Sequence, residues 1–452
     1  MKKLSLLFVL LAFAFNVSAS KVELEKAVAV AQFLMEQKFD ANQIRGEELA
    51  LAYAAQNPQS TEVPVAYYVF NVGETGFIII AGNDVAYPIL GYSTNGKYEH
   101  DNLPPNFQAW MEDIANAISG SVAKGILPTA EISEEWNAYL SRNAEYFEQT
   151  RGDRAVNPLI QTKWNQDNPY WNECPMYQGN RCYTGCVATA MAQLMKYYNY
   201  PAMGTGAMAG YNTKTLGISI PNTSFAVNYN FSNMGGATPT TTDQQANVAK
   251  LMYHCGVSVK MDYTPNWSSA YDQSVGNALT TYFGYDKAMR IEYKPYYSDT
   301  QWISMLKQEL DANRPVYYSG RVGNDGHAFI CDGYNASNLF HINWGWGGYL
   351  DGDYTVTPLA DFPNANLIYL GLKPDAGGTT PNYQINLPYE APNIDLVASQ
   401  SIVALGVTDF SATARFFNAG WKDFPGGAYS MGLFNASGNL VILRRGGVVL
   451  GK

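Results

Sequence analysis

The chemical signal of this chain is densest between Arg181 and Gln193, in the order Arg-Cys-Tyr-Thr-Gly-Cys-Val-Ala-Thr-Ala-Met-Ala-Gln. Beyond Gly185 the residues Val187, Ala190, Met191, Leu194, Met195 and Tyr198 recur at helical spacing, so a helix is expected to begin at Cys186. A thiol in the first turn of a helix lies beside unpaired N–H groups and the positive end of the dipole. Both favour the thiolate, the nucleophilic form of cysteine. Taken alone, a Gly-Cys at a helix start is more often a buried cysteine acting as a small apolar residue.

The sequence downstream changes that balance. In Gly326-His327-Ala328-Phe329 a histidine precedes a short apolar run that reads as a strand, and Phe340 to Asn343 reads as a second strand that ends in a Gly/Trp turn beginning at Trp344. A cysteine on a helix, a histidine roughly 140 residues later and an Asn-Trp beyond it follow the chain order of papain-like proteases. In that chemistry cysteine attacks a carbonyl, histidine takes and returns the proton, and a neighbour fixes the imidazole. Of the four histidines, only His327 and His341 fall in the strand-rich region. His341 lies within a strand and His327 at a strand edge, which favours His327 as the catalyst.

These blocks resemble the streptopain family of secreted bacterial cysteine proteases. Cys186 with its flanks, Gly326 to Phe329 and Asn343 to Gly348 carry the likeness, together with Trp164 to Tyr170, Met195 to Pro201, Met261 to Tyr263 and Arg314 to Tyr318. The resemblance implies Cys186 as nucleophile, His327 as general base and acid, and Gln166 as the side-chain donor of the oxyanion hole. It leaves the orientation of the imidazole to Asn343 or Trp344, the second of which would also shield the pair from water. Ser269 and Gly326 match substrate-contacting positions, although Pro265-Asn266-Trp267-Ser268 departs from the family's glycine-rich pattern there. The family also implies an apolar preference beside the scissile residue, no metal or organic cofactor, and an inhibitory propeptide over residues 20–154.

The elements that must position these residues read as follows. Residues 22–39 form an amphipathic helix, 63–72 and 76–81 are strands joined by a Gly73 to Gly76 turn, and a strand at 89–92 and a helix at 107–118 complete an α+β unit. Residues 131–157 are polar and read as a linker, or equally as an activation segment, with cleavage expected between Arg151 and Ala155. Helices are expected around Cys186, at 244–257 and at 302–312. Strands at 316–319, 328–332, 339–343 and 354–357 are spaced as an antiparallel meander. A helical half followed by a sheet half, with cysteine on one and histidine on the other, is the two-lobed papain arrangement, with the site in the cleft between lobes. The fold expected is therefore α+β, with an α+β propeptide domain, a two-lobed protease domain at 155–375 and a β-rich, incomplete sandwich-like module at 376–452.

Met1-Lys2-Lys3 followed by an apolar run and Val17-Ser18-Ala19 reads as a signal peptide over residues 1–19, which implies an exported protein, extracellular or periplasmic. No later stretch is long and apolar enough to span a membrane. A net charge of −10 without blocks of like charge argues against nucleic acid or anionic membranes as main partners. The expected partners are protein and peptide substrates and the chain's own propeptide. Five cysteines in an exported chain leave at least one thiol unpaired, and a Cys174–Cys182 pair would leave Cys186 free. Two competing functions share these residues: another Cys/His acyl-transfer enzyme such as a cell-wall amidase, and an adhesin with an inactive protease-like domain.

Overall fold

The computed structural model describes residues 19–40, 49–56, 65–150, 155–322, 325–359 and 366–377, and the backbones of short strands between Ile385 and Leu450. The expected signal peptide, all but its last residue, and residues 151–154 of the expected cleavage segment lie outside the described residues.

In chain order the N-terminal region contributes α1 (Leu24–Lys38), β1 (Leu49–Gln56), β2 (Val65–Val72), β3 (Gly76–Ala81), β4 (Ile89–Ser93), α2 (Pro105–Ala123), α3 (Ala130–Leu140) and α4 (Ala144–Thr150). The C-terminal region adds α5 (Cys186–Tyr198), α6 (Thr242–Ser258), α7 (Ser274–Tyr282), β5 (Arg290–Tyr293), α8 (Asp299–Asp311), β6 (Val316–Val322), β7 (Asp325–Tyr334), β8 (Phe340–Asn343), β9 (Gly352–Tyr354) and β10 (Leu367–Leu370). Local signals explain several boundaries. Thr241 with Gln244 and Ser298 with Gln301 form reciprocal caps that start α6 and α8, and a proline at the first helical position starts α2.

Ten strands form one antiparallel sheet in the order β1-β2-β3-β4-β9-β8-β7-β6-β10-β5. The meander β6 to β9 is present as expected, with its fourth strand a few residues early. The seam between β4 and β9 pairs Tyr92 with Asp353 and Gly91 with Tyr354. A Cβ on Gly91 would come within 2.3 Å of the Tyr354 ring, so only glycine permits that approach. The N-terminal unit thus extends the sheet of the protease region. The reason is physical: β9 has an edge that needs a hydrogen-bonding partner, and β4 supplies it.

Within the expected linker, residues 131–150 instead carry α3 and α4. Ile132, Trp136 and Tyr139 form a buried stripe on α3, whose first turn is capped by the Thr129 hydroxyl. The glutamates between them hide that stripe in a composition-based reading. β1 and α7 were also not anticipated. In residues 376–452 the described backbone pairs strands two at a time, the longest being Phe424–Phe434 with Leu440–Leu450.

Both faces of β6 and β7 are buried, and their alternation decides what faces what. Val316, Tyr318, Phe329 and Cys331 belong to a core shared with the N-terminal unit, whereas Tyr317, Ala328 and Ile330 belong to the core around α5. The cysteines are all free thiols. Cys174 and Cys182 are not paired because the local hairpin sets Pro175, not Cys174, opposite Cys182.

Candidate active site

Cys186 is the first residue of α5, and Gly185 before it has φ +85°, a left-handed conformation suited to glycine. A Cβ there would also lie 2.8 Å from the Met261 side chain and 2.9 Å from the Ser268 carbonyl oxygen. The loop carrying Ser269 is thus packed directly against the residue before the cysteine. That loop is fixed by paired backbone hydrogen bonds between Ser269 and Asp262, at 2.8 and 3.3 Å.

Ala328 of β7 belongs to the core against which Cys186 packs, and its backbone N–H acts to lower the thiol pKa. Burial pushes the Cys186 thiol up to about 11; the N–H groups of Ala328, Val187 and Cys186 oppose this, and the Asp272 carboxylate adds to it. Burial therefore outweighs the helix-terminus effect expected from sequence, and the sulfur keeps its proton in this state.

His327 is 5% exposed and follows the parity of β7, so it lies on the same face as Phe329. Its Nε2 is 2.8 Å from the Trp344 carbonyl oxygen, which accepts the hydrogen bond and so places the ring proton on Nε2. Nδ1 is then the nitrogen able to take a proton, and the Asn106 side-chain amide donates to it at 3.1 Å. Among the described residues no hydrogen bond joins Cys186 to His327. Burial lowers the imidazole pKa to about 4, against the raising effect of the Trp344 carbonyl, so the ring is neutral. Trp346 stacks on the ring at 4.6 Å between centroids. Phe107 and Trp110 of α2 pack against Trp344 at 5.4 and 5.7 Å.

The remaining expected residues divide. Gln166 is brought to Cys186 through its backbone, because its carbonyl accepts the Thr184 N–H at 3.1 Å. Gly326 is exposed and lies beside His327. The Asn343 side chain, expected as one of two candidates to orient the imidazole, is instead turned into the interior. It donates to the Thr162 carbonyl at 2.8 Å and accepts from Gln193 at 3.0 Å and from the Gly345 N–H at 3.2 Å. Trp344 meets the imidazole twice, through its main-chain carbonyl on Nε2 and through its indole, stacked at 6.0 Å between centroids. His341 is bound to Asp332 at 2.6 Å. Burial alone would lower its pKa, but Asp332, Asp353 and Asp351 together raise it to about 9. His254 is packed, with Tyr229 at 2.8 Å.

Sequence reasoning missed Asn106. Its only local signal is the Pro104-Pro105 pair before it, which marks a helix start without saying what that helix points at.

A cysteine at a helix start, facing a strand whose histidine is held by the N-terminal unit, defines a papain-like cysteine protease in its zymogen form. Comparison with known proteins agrees. Residues 164–354 match the Peptidase C10 family and residues 19–118 match the Spi protease inhibitor family. Streptopain of Streptococcus pyogenes is 34% identical over 337 residues, covering 69% of this chain and 77% of streptopain. The thiol protease/hemagglutinin PrtT of Porphyromonas gingivalis is 32% identical over 300 residues, covering 65% of this chain but only 34% of PrtT. The solved prointerpain A fragment of Prevotella intermedia superposes with a TM-score of 0.59 at 29% identity, covering 72% of this chain and 98% of the fragment. The chain belongs to the peptidase C10 family. It is a cysteine-type endopeptidase made as a zymogen, with peptides as substrates and its N-terminal unit as inhibitor.

Proposed function

We propose that Cys186 is the nucleophile and His327 its proton acceptor and donor, in an exported precursor comprising a signal peptide (1–19), an inhibitory propeptide (20–154), a protease domain (155–375) and a C-terminal β module (376–452). The observation that carries this reading is that Ala328, chain neighbour to His327, belongs to the core against which Cys186 packs at the start of α5. His327 shares the Phe329 face of β7 while Ala328 faces α5, so maturation must release the imidazole from Asn106 and bring it toward the thiol.

In the mature enzyme Nδ1 takes the thiol proton, and the thiolate attacks the scissile carbonyl carbon. The oxyanion is met by the Cys186 N–H at the start of α5 and by the Gln166 side-chain amide. The imidazolium then protonates the departing amine, which leaves a thioester on Cys186. Water, deprotonated by His327, attacks the thioester and frees the acid and the thiol. Ser269 and Gly326 flank this position and supply backbone contacts to substrate, and the Trp344 carbonyl keeps Nε2 protonated so that Nδ1 remains the reacting nitrogen.

In the zymogen the first turn of α2 blocks that sequence, because the Asn106 amide occupies Nδ1 while Phe107 and Trp110 brace the Trp344 segment. Cleavage between Arg151 and Ala155 severs the propeptide. Export is consistent with the residues at the N-terminus, and no helix among the described residues is long and apolar enough to cross a membrane. The test is expression of wild type beside Cys186→Ala. Wild type is expected to yield an active product beginning between residues 152 and 156, and Cys186→Ala to remain full length and inactive. Retained proteolysis by a clean Cys186→Ala preparation would sink the assignment.

A further inference from the structure

Gln193 lies seven residues after Cys186, two turns along the same face of α5, and is 1% exposed. Its neighbours Met191, Ala192, Leu194 and Met195 are apolar and buried, so leucine or methionine at this position would avoid any desolvation cost. A buried glutamine instead needs partners for its polar atoms, and Gln193 has them on two other segments. Its Oε1 accepts from the Thr162 hydroxyl at 2.7 Å and from the Trp164 N–H at 3.3 Å. Its Nε2 donates to Asn343 Oδ1 at 3.0 Å. The network closes through Asn343, which donates to the Thr162 carbonyl and accepts the Gly345 N–H.

Three segments that converge on the site are thereby tied to one side chain. The first is α5 itself, which begins at Cys186. The second is the stretch from Thr162 to Trp164, which leads directly into Gln166. The third runs from Asn343 to Trp346 and supplies the carbonyl on His327 Nε2 and the indole stacked on the imidazole. The third segment sits tightly on the helix, since a Cβ on Gly345 would come within 3.1 Å of the Thr189 methyl group.

We infer that Gln193 is a positioning residue of the protease, whose amide holds the oxyanion-side loop and the histidine-side loop in register with the nucleophile helix. This rests on the assignment of Cys186, His327 and Gln166 above. Its importance is greatest after maturation, when α2 no longer braces the Trp344 segment and the interior network, with the Asp351 bond to the Trp344 N–H, carries that restraint. The glutamine touches neither substrate nor reacting atoms and acts through Asn343 and Trp164.

The experiment compares mature wild type, Gln193→Met, Asn343→Leu and the double variant on a peptide substrate, with intact thiol counted by exhaustive alkylation under denaturing conditions and folded fraction by thermal melting. Gln193→Met is expected to lower kcat about tenfold or more with KM within about twofold, and to shift the acidic limb of the kcat/KM profile, because the imidazole loses its fixed neighbour. The double variant is expected to be no worse than the poorer single variant, since both changes break one network. If Gln193→Met does not accumulate, Gln193→Glu keeps the shape and both acceptor contacts but loses the donor, and the same kcat loss and profile shift are expected. Wild-type kcat and pH profile in a folded variant, with only the melting temperature lowered, would overturn the inference, as would fully additive losses. Wild type that hydrolyses no peptide would instead overturn the catalytic reading itself, so the two failures are distinct.

Discussion

Asn106 and His327 lie 221 positions apart in sequence, yet the Asn106 amide donates to His327 Nδ1 at 3.1 Å. Inhibition is thus local as well as steric. The N-terminal unit packs on the Trp344 segment and also occupies the atom that, in the proposed mechanism, takes the thiol proton. Replacement of Asn106 by alanine removes one partly buried hydrogen bond, typically ~1 kcal/mol, and should speed conversion to the mature form about fivefold. The half-time of maturation on denaturing gels measures this, and an unchanged half-time would show that Asn106 does not restrain the imidazole.

Because burial holds the Cys186 thiol near 11, the zymogen should react slowly with iodoacetamide at neutral pH, and its rate should rise as pH climbs toward that value. In the mature enzyme the freed imidazole accepts the proton, so alkylation should be at least about a hundredfold faster at pH 7 and nearly independent of pH above it. Stopped alkylation followed by intact mass distinguishes the two forms. Equal rates would mean that the propeptide leaves the thiol's ionisation untouched.

Gln166 is tied to the Thr184 backbone just before the nucleophile, and its side chain is assigned to the oxyanion. Gln166→Ala should therefore lower kcat on the order of a hundredfold with little change in KM, because the donor acts only on the transition state. Steady-state kinetics on a peptide substrate decide it. A change confined to KM would assign Gln166 to ground-state binding.

His341 offers a pH test of stability separate from catalysis. Its folded pKa is raised to about 9 by Asp332, Asp353 and Asp351 despite burial. A raised base pKa contributes stability that is full below the unfolded value near 6.5 and is lost as pH rises through about 9. Wild-type melting temperature should fall across that window. His341→Gln should be less stable at pH 6 and flatter between pH 6.5 and 9, and a parallel fall in both proteins would locate the dependence elsewhere.

Much of the proposed site was legible because its signals are local: a glycine before a helical apolar pattern marks Cys186, and spacing marks the meander β6 to β9. His327 was expected at a strand edge, but β7 begins at Asp325 and pairs His327 with Gly320, so the histidine lies within the strand. The helix α3 was hidden, although Ile132, Trp136 and Tyr139 are spaced for one face, because the intervening glutamates make the stretch read as polar.

The amino-acid order by itself determined which residues can do chemistry and which elements carry them, since helix starts, strand alternation and turns depend on neighbours within a few positions. Only the tertiary structure decided what each side chain meets. It joined β4 to β9 into one sheet, put Asn106 on His327, turned Asn343 toward Gln193 and kept the proton on Cys186 through burial. Those outcomes depend on hydrogen bonds and desolvation between residues far apart in the chain, which local pattern does not encode.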